Sequence, residues 1–128
     1  MRILLDTHVL LWALSEPQRL SADARSMIEA PENAVFFSAA SIWEIAIKAH
    51  VKRAGFSFQP EEVAHAATES GFVELPIRAA TAAHVSRLPL HHRDPFDRLI
   101  VAQAMFEPAH LLTVDPILRQ YSELVTIV

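Results

Sequence analysis

Four acidic residues stand where a strand should end or a helix should begin. They are Asp6 in Leu4-Leu5-Asp6-Thr7, Glu44 in Ser41-Ile42-Trp43-Glu44, Asp97 in Asp94-Pro95-Phe96-Asp97-Arg98, and Asp115 in Leu112-Thr113-Val114-Asp115-Pro116. Asp6 and Asp115 follow short apolar runs that read as buried strands, and in open parallel sheets ligands bind beyond the carboxyl ends of the strands. Carboxylates gathered there repel one another and require a cation. A hard divalent ion held through oxygen is the usual solution, and metal-assisted phosphodiester cleavage is its usual use.

Each acid also has a local structural role open to it. Asp6 precedes a helix and suits an N-cap. Glu44 completes Ser41-x-x-Glu44, a capping box if the helix begins at Ser41, and it pairs with Lys48 at i,i+4 for about 0.3 kcal/mol. Its neighbours Ile42, Trp43, Ile45, Ala46 and Ile47 are apolar, however. A glutamate in such a turn is costly to bury unless it is paired or metal-bound. Asp94, followed by Pro95, reads as an N-cap. The cap is therefore assigned to Asp94 and the metal to Asp97, with the reverse as the alternative. Asp115-Pro116 reads equally as a turn.

Other chemistries lack residues. There is no cysteine, so neither disulfides nor thiolate metal sites are available. No G-x-S-x-G elbow or glycine-rich phosphate loop occurs, and the two glycines, Gly55 and Gly71, fall at expected helix ends. His8 and the His91-His92 pair lie near the acids, but no H-x-x-x-H or H-E-x-x-H spacing supports zinc, and loop histidines are expected to be solvated.

The elements that must position the acids are set by the hydrophobic pattern. Ile3-Leu4-Leu5, Val35-Phe36-Phe37, Phe72-Val73-Glu74-Leu75, Leu111-Leu112-Thr113 and Val125-Thr126-Ile127-Val128 read as strands. Helices are expected over Thr7–Ser15, from Ser21 to before Pro31, over Ala39–Ala54, from Pro60, over Ala79–Arg87 and from Pro95 to Phe106. Strands alternate with helices, and strands rich in leucine and β-branched residues fit burial on both faces. The fold class is α/β, a three-layer α/β/α sandwich around a parallel sheet. Trp43 is expected in the core.

With 128 residues, 52% of them hydrophobic, the chain is expected to form one domain spanning residues 1–128. No apolar run reaches the roughly 18 residues of a membrane span, and Arg2 and Asp6 come too early for a signal peptide. A cytoplasmic location without membrane partners is the expectation. The net charge of −4 gives no global signature for nucleic acid. Lys48, Lys52, Arg53, Arg93 and Arg98 are expected to form a local basic rim.

Leu4-Leu5-Asp6-Thr7-His8-Val9-Leu10-Leu11-Trp12, Ser38-Ala39-Ala40-Ser41-Ile42-Trp43-Glu44-Ile45-Ala46-Ile47-Lys48, His92-Arg93-Asp94-Pro95-Phe96-Asp97-Arg98 and Leu111-Leu112-Thr113-Val114-Asp115 together resemble the PIN-domain family, and within it the VapC-type ribonuclease toxins of toxin–antitoxin pairs. The resemblance covers essentially the whole chain. It implies a five-stranded parallel sheet, a Mg²⁺ or Mn²⁺ cofactor at Asp6, Glu44, Asp97 and Asp115, and endoribonuclease activity. It also implies an antitoxin partner that blocks the site and a homodimer. Where the family usually has glycines after the second acid, this chain reads His50-Val51-Lys52-Arg53-Ala54-Gly55. On the metal-centre reading, Thr7, Ser38 and Thr113 are expected to hold water or a phosphate, and Arg98 or Arg93 to contact RNA backbone. Competing readings are a PIN-type nuclease outside any toxin system and a receiver-like Mg²⁺-binding signalling module. Against the receiver stand a lone acid after strand one, no acid directly after strand three, and no lysine after the last strand.

Overall fold

The computed structural model describes residues 1–51 and 57–128. Five strands form one sheet in the order β3-β2-β1-β4-β5: β1 Arg2–Leu5, β2 Ala34–Ser38, β3 Val73–Leu75, β4 His110–Thr113 and β5 Val125–Ile127. Every neighbouring pair is parallel, with Leu5 opposite Phe37 on one side and Leu112 on the other. Six α-helices lie among the described residues: α1 Thr7–Ser15, α2 Ala22–Glu29, α3 Ala39–Val51, α4 Pro60–Glu69, α5 Ala79–His84 and α6 Pro95–Phe106.

Side-chain alternation along the strands splits the core in two. Ile3, Leu5, Val35, Phe37 and Leu112 face α1, α2 and α4, joined by Val9, Leu10, Ala24, Val63 and Ala67. Leu4, Leu111 and Val125 face the opposite way, onto Ile100, Val101 and Ala104 of α6. Ile3, Leu4 and Leu5 are all fully buried, so β1 is the central strand its unbroken apolar run requires. Burying each such side chain contributes roughly 1.5–3 kcal/mol.

The connections put α1–α4 on one face and return the chain across the sheet through α5 and α6 before β4. The order therefore reverses between β1 and β4, and the crevice at their carboxyl ends is the topological switch point. Asp6 comes directly after β1, and Asp115 follows β4 with only Val114 between. The receiver-like reading fails here, because that class of sheet runs 2-1-3-4-5.

Helix starts obey local chemistry. The side chains of Asp6, Ser21 and Asp94 accept amide protons at the N-termini of α1, α2 and α6. The expected helix over Ala79–Arg87 is α-helical to His84 and continues as a 3₁₀ turn over Val85–Arg87. The expected extension of α3 to Ala54, its stop at Gly55, and the rim residues Lys52 and Arg53 lie outside the described residues. Among the described residues no helix is long and apolar enough to cross a membrane.

Candidate metal centre

At the switch point the chain forms a cleft of about 360 Å³ lined by Asp6, Glu44, Lys48, Asp94, Asp97 and Asp115, with His8, Val114 and Pro116 completing the wall. The four acids thus come from four separate segments. Asp6 and Asp115 arrive from the ends of β1 and β4, Glu44 from α3 and Asp97 from the first turn of α6.

Asp6 is almost wholly buried. Its Oδ1 accepts the Val9 amide at 2.8 Å, so capping and cleft roles coexist on one carboxylate. Its Oδ2 accepts the hydroxyl of Thr113. Burial raises its pKa above the ordinary carboxylate value, against these hydrogen bonds.

Glu44 is buried as well, and α3 begins at Ala39 rather than Ser41, so no capping box forms. Instead the Ser38 hydroxyl accepts the Ala40 amide at 2.9 Å. Glu44 Oε1 lies 2.7 Å from Thr7 Oγ1, which also lies 2.9 Å from Ser41 Oγ. With one hydroxyl proton available, Thr7 donates to the carboxylate and accepts from Ser41. Lys48 Nζ donates to Glu44 Oε2 at 2.8 Å.

Asp94 and Asp97 separate cleanly by role in the helix. Asp94 Oδ1 accepts the amides of Phe96 at 2.8 Å and Asp97 at 3.2 Å, which makes Asp94 the N-cap. The Asp97 carboxylate is free of that duty. Its pKa is pushed up to about 7, first by burial, then by the charges of Asp94, Asp6 and Glu44. A carboxyl group raised this far by burial, with neighbouring carboxylates adding to it, marks a site short of positive charge. The donors are hard oxygens, so the set fits a divalent ion of the Mg²⁺ or Mn²⁺ kind.

Asp115 Oδ1 accepts the Ile117 amide at 2.9 Å, starting the 3₁₀ turn over Pro116–Gln120. Its Oδ2 lies 2.7 Å from His92 Nε2, which is also 3.5 Å from Asp97 Oδ2. His92 is therefore a partly buried member of the site, not the solvated loop residue expected from its lack of zinc spacing. Its place directly before Arg93-Asp94-Pro95, where the loop must turn into the cap of α6, was the available signal.

The hydroxyls and the arginine expected to touch substrate are placed differently. Thr7 and Thr113 hold carboxylates, and Ser38 caps α3 while donating to Gln103. Arg98 is not among the cleft residues. Its guanidinium donates to the carbonyls of Val85, Leu88, Pro89 and His92 and to the phenol of Tyr121, pinning the segment before α6. Arg93 is exposed. Trp43, expected in the core, is 57% exposed and meets Phe96 edge-on at a centroid distance of 5.0 Å. Trp43 belongs to neither of the two core clusters.

The chain is similar to Ribonuclease VapC22 of Mycobacterium tuberculosis, at 38% identity over 125 residues covering 93% of this chain and 91% of that protein. Its fold is similar to VapBC2 from Rickettsia felis, solved bound to a DNA fragment from their promoter, with a TM-score of 0.70, 17% identity and coverage of 98% and 96%. It is similar also to FitAcB from Neisseria gonorrhoeae, with a TM-score of 0.59, 21% identity and the same coverages. The PIN domain family matches residues 3–124. The sheet order, the acids at its switch point and this match agree: the chain belongs to the PIN-domain family.

Proposed function

We propose that the chain is a divalent-metal-dependent endoribonuclease, the toxin of a toxin–antitoxin pair. The observation that carries this reading is the convergence of Asp6, Glu44, Asp97 and Asp115 on one cleft, with Asp97 pushed up to about 7. The relationship to VapC22, a ribonuclease by name, supports RNA as the substrate.

Asp6, Glu44, Asp97 and Asp115 would hold the ion through oxygen. When bound, Mg²⁺ or Mn²⁺ lowers the pKa of a water nucleophile and neutralises charge developing on the phosphate. The residues of the chain do the positioning. Thr113 and the Val9 amide fix the Asp6 carboxylate, and Thr7 fixes Glu44. Asp94 holds the start of α6 and so the direction of Asp97. Lys48 at the cleft wall and the exposed Arg93 supply cations for the RNA backbone. Of the two arginines expected at the RNA backbone, Arg93 keeps that role and Arg98, whose donors go to carbonyls, does not. Thr7, Ser38 and Thr113 act behind the carboxylates rather than on the substrate.

A cognate antitoxin protein as partner, a homodimer and a cytoplasmic setting complete the proposal, on the strength of the sequence resemblance. The test is cleavage of total RNA with Mg²⁺ or Mn²⁺ by the wild type and Asp6→Asn, a substitution that keeps an N-cap. Metal-dependent products from the wild type alone are expected. Equal cleavage by both proteins removes the carboxylate centre, and no products from either removes the nuclease.

A further inference from the structure

We propose that His92 is a positioning residue for the acidic centre: an imidazole locked as the Nε2–H tautomer, which orients Asp115 towards Asp97 and is not itself a metal ligand. The inference rests on the reading of the cleft as a metal centre.

On distance alone the opposite conclusion is tempting. His92, Asp97 and Asp115 offer ligand atoms all within 4.8 Å of one another, the spacing of a three-ligand metal site. The other ring nitrogen decides the matter. Nδ1 of His92 accepts the backbone amide of Asp94 at 2.9 Å. An amide is only a donor, so Nδ1 must present its lone pair, and the ring proton sits on Nε2. Nε2 then donates to Asp115 Oδ2 at 2.7 Å and leans towards Asp97 Oδ2 at 3.5 Å. A metal bound at Nε2 would need the proton moved to Nδ1, where it would face the Asp94 N–H.

The loop that sets this geometry is tied from two sides. The Tyr121 hydroxyl oxygen accepts the amides of His91 at 3.1 Å and His92 at 2.9 Å. Arg98 donates to the same oxygen at 3.1 Å and to Pro89 O at 2.9 Å. Asp94, the residue that presents its amide to Nδ1, is itself fixed as the N-cap of α6. The ring therefore cannot turn without disturbing the helix that carries Asp97.

The consequence falls on Asp115. With Oδ1 receiving the Ile117 amide and Oδ2 receiving the His92 N–H, the plane of its carboxylate is set. Each oxygen still has a lone pair to offer an ion. Partners of this kind behind a metal ligand are typically worth about 10–100-fold in metal affinity or activity.

The two amide substitutions divide the functions of the ring. In His92→Asn the side-chain carbonyl can take the place of Nδ1, but nothing reaches Asp115. In His92→Gln the amide nitrogen can take the place of Nε2 and donate to Asp115. Mn²⁺ titrations monitored by the electron paramagnetic resonance of the free ion are expected to show affinity about tenfold or more weaker in His92→Asn. His92→Gln should recover most of the loss. The ¹⁵N spectrum of the wild-type imidazoles should show His92 protonated at Nε2 both without and with Mg²⁺.

Unchanged Mn²⁺ affinity in His92→Asn overturns the proposal while leaving the metal centre standing. So does loss of the Nε2 proton on Mg²⁺ addition, or direct imidazole coupling to bound Mn²⁺. Absence of Mn²⁺ binding by the wild type is a different failure: it removes the metal centre, and the role of His92 falls with it.

Discussion

Thr113 and Asp6 meet across the seam between β4 and β1, the threonine hydroxyl donating to Asp6 Oδ2 while accepting the Asp115 amide at 3.1 Å. One side chain thus ties the acid at the end of β1 to the acid at the end of β4. Thr113→Val keeps the β-branched shape and removes this link. It should lower metal-dependent cleavage by about 10–100-fold, as loss of a partner behind a ligand does. It should also destabilise the metal-free protein by about 1.5–3 kcal/mol, the range for a hydrogen bond to a charged group. Thr113→Ser should restore both. Urea unfolding and RNA cleavage of the pair measure these effects, and wild-type behaviour of Thr113→Val would remove the link from the mechanism.

Asp94 and Asp97 are three residues apart at the same helix start, yet their predicted substitutions diverge. Asp94→Asn preserves a capping oxygen for the Phe96 and Asp97 amides, so both stability and cleavage should stay near wild type. Asp94→Ala should cost about 1 kcal/mol of stability. Asp97→Asn should abolish cleavage with the fold retained. If Asp94→Asn is the inactive protein and Asp97→Asn the active one, the third acid of the centre has been misassigned.

What could be read from the sequence, and what could not, divides along a physical line. The strands and helix starts were legible because local chemistry sets them. Leu4 and Leu5 need burial on both faces, Ser21 and Asp94 cap α2 and α6, and Pro60 and Pro95 open helices. The convergence of Asp6 with Asp115 was legible through the general rule about parallel sheets. Side-chain direction was not legible. Ser38, Thr7 and Thr113 were expected at the substrate, and they turn inward because buried carboxylates and a helix N-terminus need their hydroxyls. Arg98, with Arg93 as the alternative, was expected at the RNA, but the Val85 and Leu88 carbonyls, 13 and 10 residues upstream, take up its donors, a tertiary fact without a local signal. Trp43 looked like core by residue type, and only the packing of α3 decides that it is exposed.

Lys48 occupies one oxygen of Glu44 at 2.8 Å and competes with any cation for that carboxylate. Lys48→Met keeps the length of the side chain and removes the charge. Mn²⁺ should bind severalfold more tightly, since one unit charge near the cleft contributes on the order of 1 kcal/mol of repulsion to an ion. RNA binding should weaken in the same protein, because the cleft loses a cation for the phosphate backbone. Titration of Mn²⁺ and of a non-cleavable RNA on the same sample separates the two effects. Parallel weakening of both would show that Lys48 holds the site together rather than competing for it.

The raised pKa of Asp97 makes stability and metal binding depend on pH with opposite signs. Without metal, the folded protein holds a proton on Asp97 up to about 7, whereas the unfolded chain releases it near the ordinary value of 3.8. Between these values the folded state binds more protons, so this group's contribution to stability falls as pH rises through the window. Burial of Asp6 acts in the same direction. Mn²⁺ or Mg²⁺ binds the ionised carboxylate, so affinity should rise with pH until about 7 and then level. Thermal melts in a chelator should therefore show Asp97→Asn gaining on the wild type as pH is raised from about 5 to about 8. Over the same range, the stabilisation that added Mg²⁺ gives the wild type should grow. A metal-induced shift that stays constant across this range would mean that Asp97 is already ionised in the metal-free protein. The cleft would then hold its four acids without the strain that an ion is needed to relieve.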